Sequence, residues 1–301
     1  MPRGADLERD CPVWMGEVMF GGSMFEIVET RILAPNIKQY VVNAPAIARK
    51  ARSGQFVILK VDEFGERFPL TLVDWNPQRG TVTLVFQEVG VSTRKLGALK
   101  VGDKIQDVIG PLGNAAEDER YGTAVVIGGG VGIPLALPRA KSLRAAGNRV
   151  VSIIGARSVE LLILQREVEA ASDELIVVTD DGSNGKKGFT SDALKELLAQ
   201  GRKLDYVFAV GPVPMMRAVA EMTRPFGIRT VVSLNPIMVD GTGMCGGCRV
   251  SVGGKTHFAC VDGPEFDGHQ VDFKELGARL QTYTKEERLA AEHQDRSCRL
   301  S

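Results

Sequence analysis

From residue 24 to about 117 the apolar positions fall in short runs that alternate with polar ones or are rich in β-branched side chains. Phe25-Glu-Ile-Val-Glu-Thr-Arg-Ile-Leu33 and the segments 39–43, 56–61, 81–86 and 104–109 are such runs. Turn-forming stretches, among them Pro77-Gln-Arg-Gly80 and Val101-Gly-Asp103, separate them. Several short strands at this spacing predict a small antiparallel barrel. After Tyr121-Gly122 the pattern changes. Thr123-Ala-Val-Val-Ile127 is an unbroken apolar strand, followed by Gly128-Gly-Gly-Val-Gly132 and a helical stretch to about Ala146. Segments 149–154, 174–178 and 206–210 repeat the pattern, each trailed by helix-compatible sequence. Continuous apolar strands alternating with helices predict a doubly wound parallel sheet. A glycine-rich segment runs from about Ser233 to His269. From Thr284-Lys-Glu-Glu287 onward, a capping-box pattern predicts a polar terminal helix.

The expected organisation is therefore an extension at 1–23, a barrel at 24–117, an α/β domain at 118–232, a small cysteine-bearing domain at 233–275 and a helical tail at 276–301. Met24 opens the first strand-like pattern.

Composition narrows the function classes. At 301 residues the chain has room for two or three domains, with 44% apolar and 25% charged residues. Lys+Arg and Asp+Glu are equal at 37 each, so no overall field favours nucleic acid or an anionic membrane. No apolar run approaches the roughly 18 residues of a membrane span. The first 23 residues lack the apolar stretch of a secretory signal. Five cysteines, three of them clustered, fit a reducing cytoplasm better than a disulfide framework. Cys11 and Cys298 read as free thiols. His257, His269 and His293 stand in no triad-like context.

Chemistry concentrates in Asp240-Gly-Thr-Gly-Met-Cys245-Gly-Gly-Cys248, with Cys260 further on. Thiolates suit iron in sulfide clusters, and glycines let a loop fold round a small object with its amides facing sulfur. The spacing is that of a plant-type [2Fe–2S] ligand set, with Asp240 in the first place. A zinc site built from Cys245, Cys248, Cys260 and His257 or Asp240 is a rival, as is a Cys-Gly-Gly-Cys redox pair. Asp240 also suits a purely structural role, capping its own loop.

Other segments suit phosphates. Arg67 in Arg67-Phe-Pro-Leu-Thr71, at the end of the 56–61 run, offers a fixed charge, Pro69 stiffens the edge and Thr71 adds a hydroxyl. The loops Gly90-Val-Ser92-Thr93 and Gly110-Pro111-Leu112-Gly113-Asn114 could bring backbone amides near a pyrophosphate. In the α/β half, Gly128, Gly129, Gly130, Val131 and Gly132 turn from strand to helix where amides meet a phosphate. Ile133 stands in the third glycine place, so this is not the usual dinucleotide fingerprint. Thr179-Asp180-Asp181-Gly182 and Gly211-Pro212-Val-Pro-Met215-Met216 follow further strands. Arg157 could take a 2′-phosphate or simply face solvent.

The order Arg-x-Pro-Leu-Thr, two small-residue loops, then Gly-Gly-Gly-Val-Gly resembles the ferredoxin–NADP reductase superfamily over residues 24–230. The resemblance implies a β-barrel flavin domain plus an α/β doubly wound parallel-sheet nucleotide domain, with a small C-terminal iron–sulfur domain. It puts Arg67, Pro69, Leu70 and Thr71 at an FAD and Gly211 to Met216 on the nicotinamide side of an NAD(H) or NADP(H) site. Residues 233–250 and 263–273 are similar to one subgroup, the small subunits of NADH-dependent ferredoxin–NADP oxidoreductases. These are relatives of the dihydroorotate dehydrogenase electron-transfer subunit, which has four cysteines where this chain has Asp240 and three. That likeness implies a bifurcating heterodimer whose larger subunit carries a second flavin and [4Fe–4S] clusters, with ferredoxin reached through the complex. The alternatives are the dihydroorotate dehydrogenase electron-transfer subunit itself and a non-redox, zinc-binding nucleotide-fold module.

Overall fold

The computed structural model describes residues 25–297, with the side chains beyond residue 293 left out. Cys11, Cys298, Met24 and the expected 1–23 extension lie outside the described residues.

Six strands, β1 (Ile27–Ala34), β2 (Ile37–Asn43), β3 (Phe56–Lys60), β4 (Arg67–Asn76), β5 (Thr81–Gln87) and β6 (Asp107–Leu112), form an antiparallel sheet in the order β1-β2-β5-β4-β3-β6. Hydrogen bonds between Phe25–Ile27 and Gly102–Ile105 draw its two ends together into a barrel. A short helix, α1 (Pro45–Ala48), covers one end, and α2 (Val91–Ala98) follows β5. The barrel interior is aliphatic and aromatic: Ile27, Tyr40, Val42, Leu59, Leu72, Leu84 and Leu96 are all at most 2% exposed.

Three expectations need correcting. The segment from Arg67 to Thr71 does not end the preceding run. It is the first half of β4, a strand in its own right that pairs with β3. Pro69 is tolerated because β5 pairs with β4 only from Leu72 onward, which leaves one edge of Arg67–Thr71 without a strand partner. Residues 91–93 are not a loop but the first turn of α2, with Gly90 at its N-cap. Likewise Gly110, Pro111 and Leu112 finish β6, and only Gly113, at φ +76°, turns the chain.

The second sheet contains β7 (Thr123–Gly129), β8 (Arg149–Ala156), β9 (Glu174–Thr179), β10 (Tyr206–Val210) and β11 (Arg229–Ser233), all parallel. Helices α3 (Ile133–Ala145), α4 (Gln165–Ala170), α5 (Thr190–Ala199) and α6 (Val213–Thr223) connect them. β7, β8 and β10 are buried on both faces, which is why these segments read as continuous apolar runs. Beyond β11 come the hairpin β12 (Arg249–Val252) and β13 (Lys255–Phe258), then β14 (Glu265–Asp267), α7 (Phe273–Leu280) and α8 (Thr284–Ser297).

The glycine-rich segment is not an appendage. β14 pairs antiparallel with β11, so the sheet runs β14-β11-β10-β7-β8-β9. One apolar cluster passes from Phe56 and Ile58 in the barrel, through Val125 and Val207, to Cys248, Cys260 and Leu276.

Candidate functional site

In the second sheet the expected phosphate turns converge at the carboxyl ends of the strands, where open α/β sheets bind ligands. Gly130 adopts φ +57° with open space beside it, a backbone conformation that strongly favours glycine. Gly132 lies so close to β10 that a Cβ would run into the Val210 carbonyl. A Cβ on Gly129 would meet the Met215 sulfur, and one on Gly211 would meet Gly129 and Met215, so the two turns form one surface. Gly128 and Val131 belong to the same turn, and Pro212 is the N-cap of α6. Across the sheet, the Asp180 and Asp181 amides donate to the Ala156 and Arg157 carbonyls, which brings Gly182 and the exposed Arg157 beside them. A side-chain and a backbone hydrogen bond from Ser183 hold the Asp181 carboxyl below its ordinary range.

On the barrel, the Thr93 hydroxyl accepts from the Val89 and Gly90 amides and donates to the Gly90 carbonyl, fixing the entry to α2 with Ser92 in its first turn. Gly90 has open space at its Cβ position, and Arg67 is exposed on the partnerless stretch of β4. An open strand edge, an arginine and a glycine-fronted helix start are what an anionic flavin nucleotide needs.

The cysteine loop packs directly onto this region. A Cβ on Gly241 would stand 2.7 Å from side-chain carbons of Ile58 and Leu112. In register, Ile58 faces Pro69, and Phe56 faces Thr71 on one side and Leu112 on the other. The Asn114 amide donates to the Gly263 carbonyl at 2.7 Å, and Gln55 holds the Gly113 carbonyl. Leu70 completes the β4 stretch. The loop and the β4 stretch, unrelated in sequence, are thus neighbours in space.

Within the loop the four expected donors come as two pairs. The Sγ atoms of Cys248 and Cys260 lie 3.2 Å apart, both buried. Burial and the adjoining Cys248 sulfur push the Cys260 thiol up to about 12, opposed by a hydrogen bond from the Gly243 backbone. Cys245 is exposed and pairs with Asp240. Its amide donates to Asp240 Oδ2 at 2.9 Å. Asp240 further accepts from the Thr242 and Met244 amides, both at 3.1 Å, and from the Thr242 hydroxyl. Burial pushes the Asp240 carboxyl up, but the hydrogen bonds from Thr242 and Cys245 outweigh it and keep the carboxyl below its usual range.

A tetrahedral zinc site needs donors that converge on one point. Among the described residues no three His, Cys, Asp or Glu side chains do so. His257 turns instead toward Asp262, at 3.8 Å. Two donor pairs, three sulfurs and one oxygen, match a two-iron centre, in which each iron takes two protein ligands.

Residues 235–272 match the family model for the iron–sulfur cluster binding domain of dihydroorotate dehydrogenase B. A Thermotoga maritima protein named dihydroorotate dehydrogenase B (NAD(+)), electron transfer subunit homolog, is 47% identical over 274 residues, 91% of this chain and 96% of its own. The chain belongs to the dihydroorotate dehydrogenase B electron transfer subunit family. The Geobacillus thermodenitrificans electron transfer subunit is more distant, 32% identical over 84% of this chain and 99% of its own. Among solved structures, one described as an NADH-dependent reduced ferredoxin-NADP oxidoreductase, studied for flavin-based electron bifurcation, superposes with a TM-score of 0.87. It is 46% identical and covers 91% of this chain and 99% of its own. Family membership makes this chain an oxidoreductase subunit of the electron-transferring kind, built to work within a larger complex.

Two contributors escaped the sequence reading. Ile58 supports the cysteine loop from inside an ordinary β-strand pattern. Arg279, beyond the matched domain, donates to the Gly247 carbonyl at 3.0 Å. Neither carries a local sequence signal, because each acts on residues far away in the chain.

Proposed function

We propose that this chain is the small subunit of a two-subunit, flavin-based electron-bifurcating NADH-dependent ferredoxin–NADP oxidoreductase. One observation carries the reading: the loop that pairs Asp240 with Cys245 and Cys248 with Cys260 packs through Gly241 on Ile58 and Leu112 of the barrel, and Ile58 pairs in register with Pro69 on the open stretch of β4. FAD, when bound, converts two-electron nicotinamide chemistry into single-electron steps that a [2Fe–2S] cluster can relay.

The residues divide the remaining work. Arg67 neutralises the flavin phosphates, Pro69 and Leu70 wall the ring, and Thr71 offers it a hydroxyl. Gly90, Ser92 and Thr93 present the amides of the α2 entry to the pyrophosphate, and residues 110–114 close the far side. The Gly128–Gly132 turn, Arg157, Asp180–Gly182, Gly211, Pro212 and Met215 hold NAD(H) or NADP(H). Asp240, Cys245, Cys248 and Cys260 ligate the cluster. The division of labour follows the segments 24–117 for flavin, 118–232 for nucleotide and 233–275 for the cluster, with 276–301 as a helical tail.

The partner is a larger subunit with its own flavin and [4Fe–4S] clusters, and ferredoxin exchanges electrons with the complex rather than with this chain. The three reduced cysteines of the loop suit the cytoplasm, and among the described residues no helix is long and apolar enough to cross a membrane. The names of the curated relatives favour a second reading, a subunit serving a dihydroorotate-oxidising partner. Asp240, where that type has a fourth cysteine, argues for the first.

The test is EPR of the anaerobically reduced protein, with iron and flavin quantified on the same sample. A rhombic [2Fe–2S] signal, with about two irons and one FAD per chain, is expected. A colourless protein with one bound zinc would overturn the proposal. Purification with an orotate-forming partner would move the assignment to the second reading.

A further inference from the structure

Outside the donor set, the half-buried Arg279 reaches the cluster loop. Arg279 lies in the last turn of α7, beyond the 235–272 segment that matches the cluster domain. Its Nη2 donates to the Gly247 carbonyl at 3.0 Å in a partly buried contact, across 32 residues of sequence. Its Nε is buried and has no hydrogen-bond partner. Leaving a guanidinium N–H buried and unpaired costs stability, so loop anchoring alone accounts poorly for this arrangement.

Gly247 stands between two of the proposed ligands. Its amide faces the Cys245 sulfur at 3.4 Å, while its carbonyl belongs to the peptide that carries the Cys248 N–H. A cation on that carbonyl polarises the peptide and strengthens its N–H, the one that Cys248 carries, as a donor on the side away from Arg279. The charge is permanent, since guanidinium does not deprotonate in proteins. Net charge and hydrogen bonds around the sulfurs set the potentials of iron–sulfur centres, and partners outside the ligand set tune a metal site.

We propose that Arg279 is a positioning residue that raises the reduction potential of the cluster through its contact with the Gly247 carbonyl. The proposal rests on the cluster reading above. Adding an electron makes the centre more negative, and a fixed positive charge in a half-dry environment favours that state. The exposed Arg249 gives a contrast. Its guanidinium lies 3.5 Å from where a Gly246 Cβ would stand, but solvent screens it.

The experiment is an EPR-monitored redox titration of the full-length chain and of Arg279→Gln, Arg279→Lys and Arg249→Gln, with iron content measured on each. Arg279→Gln should keep its iron and shift the midpoint to a more negative potential. Arg279→Lys should stay near the unsubstituted protein, and Arg249→Gln should shift less than Arg279→Gln. Should Arg279→Gln lose iron, Arg279→His decides, because its charge switches near pH 6.5 within one folded protein. Its midpoint should then rise as pH falls through that region, more steeply than in the unsubstituted protein.

An unchanged midpoint in Arg279→Gln would overturn the inference, as would equal shifts in Arg279→Gln and Arg279→Lys, or equal shifts in Arg279→Gln and Arg249→Gln. In Arg279→His, a midpoint no steeper in pH than that of the unsubstituted protein would do the same. Absence of a [2Fe–2S] signal from the unsubstituted protein is a different failure, that of the cluster reading itself.

Discussion

Asp240 shows how one side chain can be read in two ways that a single substitution separates. Its carboxylate accepts three backbone N–H bonds and one hydroxyl bond from its own loop, the geometry of a loop cap. It is also paired with Cys245, as a ligand sharing one iron would be. A harder oxygen donor holds ferric iron well, so Asp240→Cys is expected to change the EPR g-values and the midpoint potential while keeping two irons per chain. An unaltered spectrum and midpoint would assign Asp240 to the cap alone. Asp240→Ala discriminates from the other side: loss of iron supports ligation, and full iron content with a less stable loop supports the cap. The order of residues 240–260 exposed the donor types, but not the pairing, which depends on how the glycines let the loop turn back on itself.

At the scale of elements, local pattern and tertiary context part company where the site is built. β4 was hidden because Pro69 interrupts a strand pattern, and only the partnerless edge of that stretch makes proline acceptable. The start of α2 resembled a loop because Gly90 caps it without a side chain and Thr93 stabilises it through its own hydroxyl. β14, three residues long, is too short to show any period. β7, β8 and β10, by contrast, were legible because burial on both faces leaves no polar alternation to misread, whereas β11, with Arg229 exposed and Val231 and Ser233 half-buried, gave no such run. The turn after β7 was also legible, though its tightest constraint lies with Gly132. Gly132→Ala should force the turn away from β10 and cost about 1–3 kcal/mol, as overpacking does. Chemical denaturation checks the cost, and NADH-dependent flavin reduction should fall while iron content stays constant.

Over the whole molecule, the junction of the three segments holds a buried charge cluster. Arg139, 1% exposed, bonds to Asp118, the Glu117 carbonyl and the Tyr206 hydroxyl, and lies 3.8 Å from Glu265 of β14. Burial raises the Glu265 carboxyl to about 7, and Asp118 and Glu117 add to that rise against the pull of Arg139. Because the folded-state value lies above the unfolded one, the contribution of Glu265 to stability is fully present below its ordinary value and is lost as pH rises through about 7. Glu265→Gln should therefore improve in melting temperature, relative to the unsubstituted protein, by at least about 2 °C more at pH 8.5 than at pH 5.5. A difference that does not vary with pH would show that Glu265 does not titrate in this window.

Glu265 belongs to the strand that the cysteine-bearing segment lends to the neighbouring sheet, and this loan limits how the protein can be cut. A cluster cassette joined by a linker could be removed or transplanted, leaving an intact nucleotide domain behind. Here, a chain ended after residue 232 would leave β11 with a bare row of amides and carbonyls where β14 now pairs with it. Unpaired edges of that kind recruit other chains. The truncated protein would be a poor carrier of nicotinamide and a ready seed for self-association.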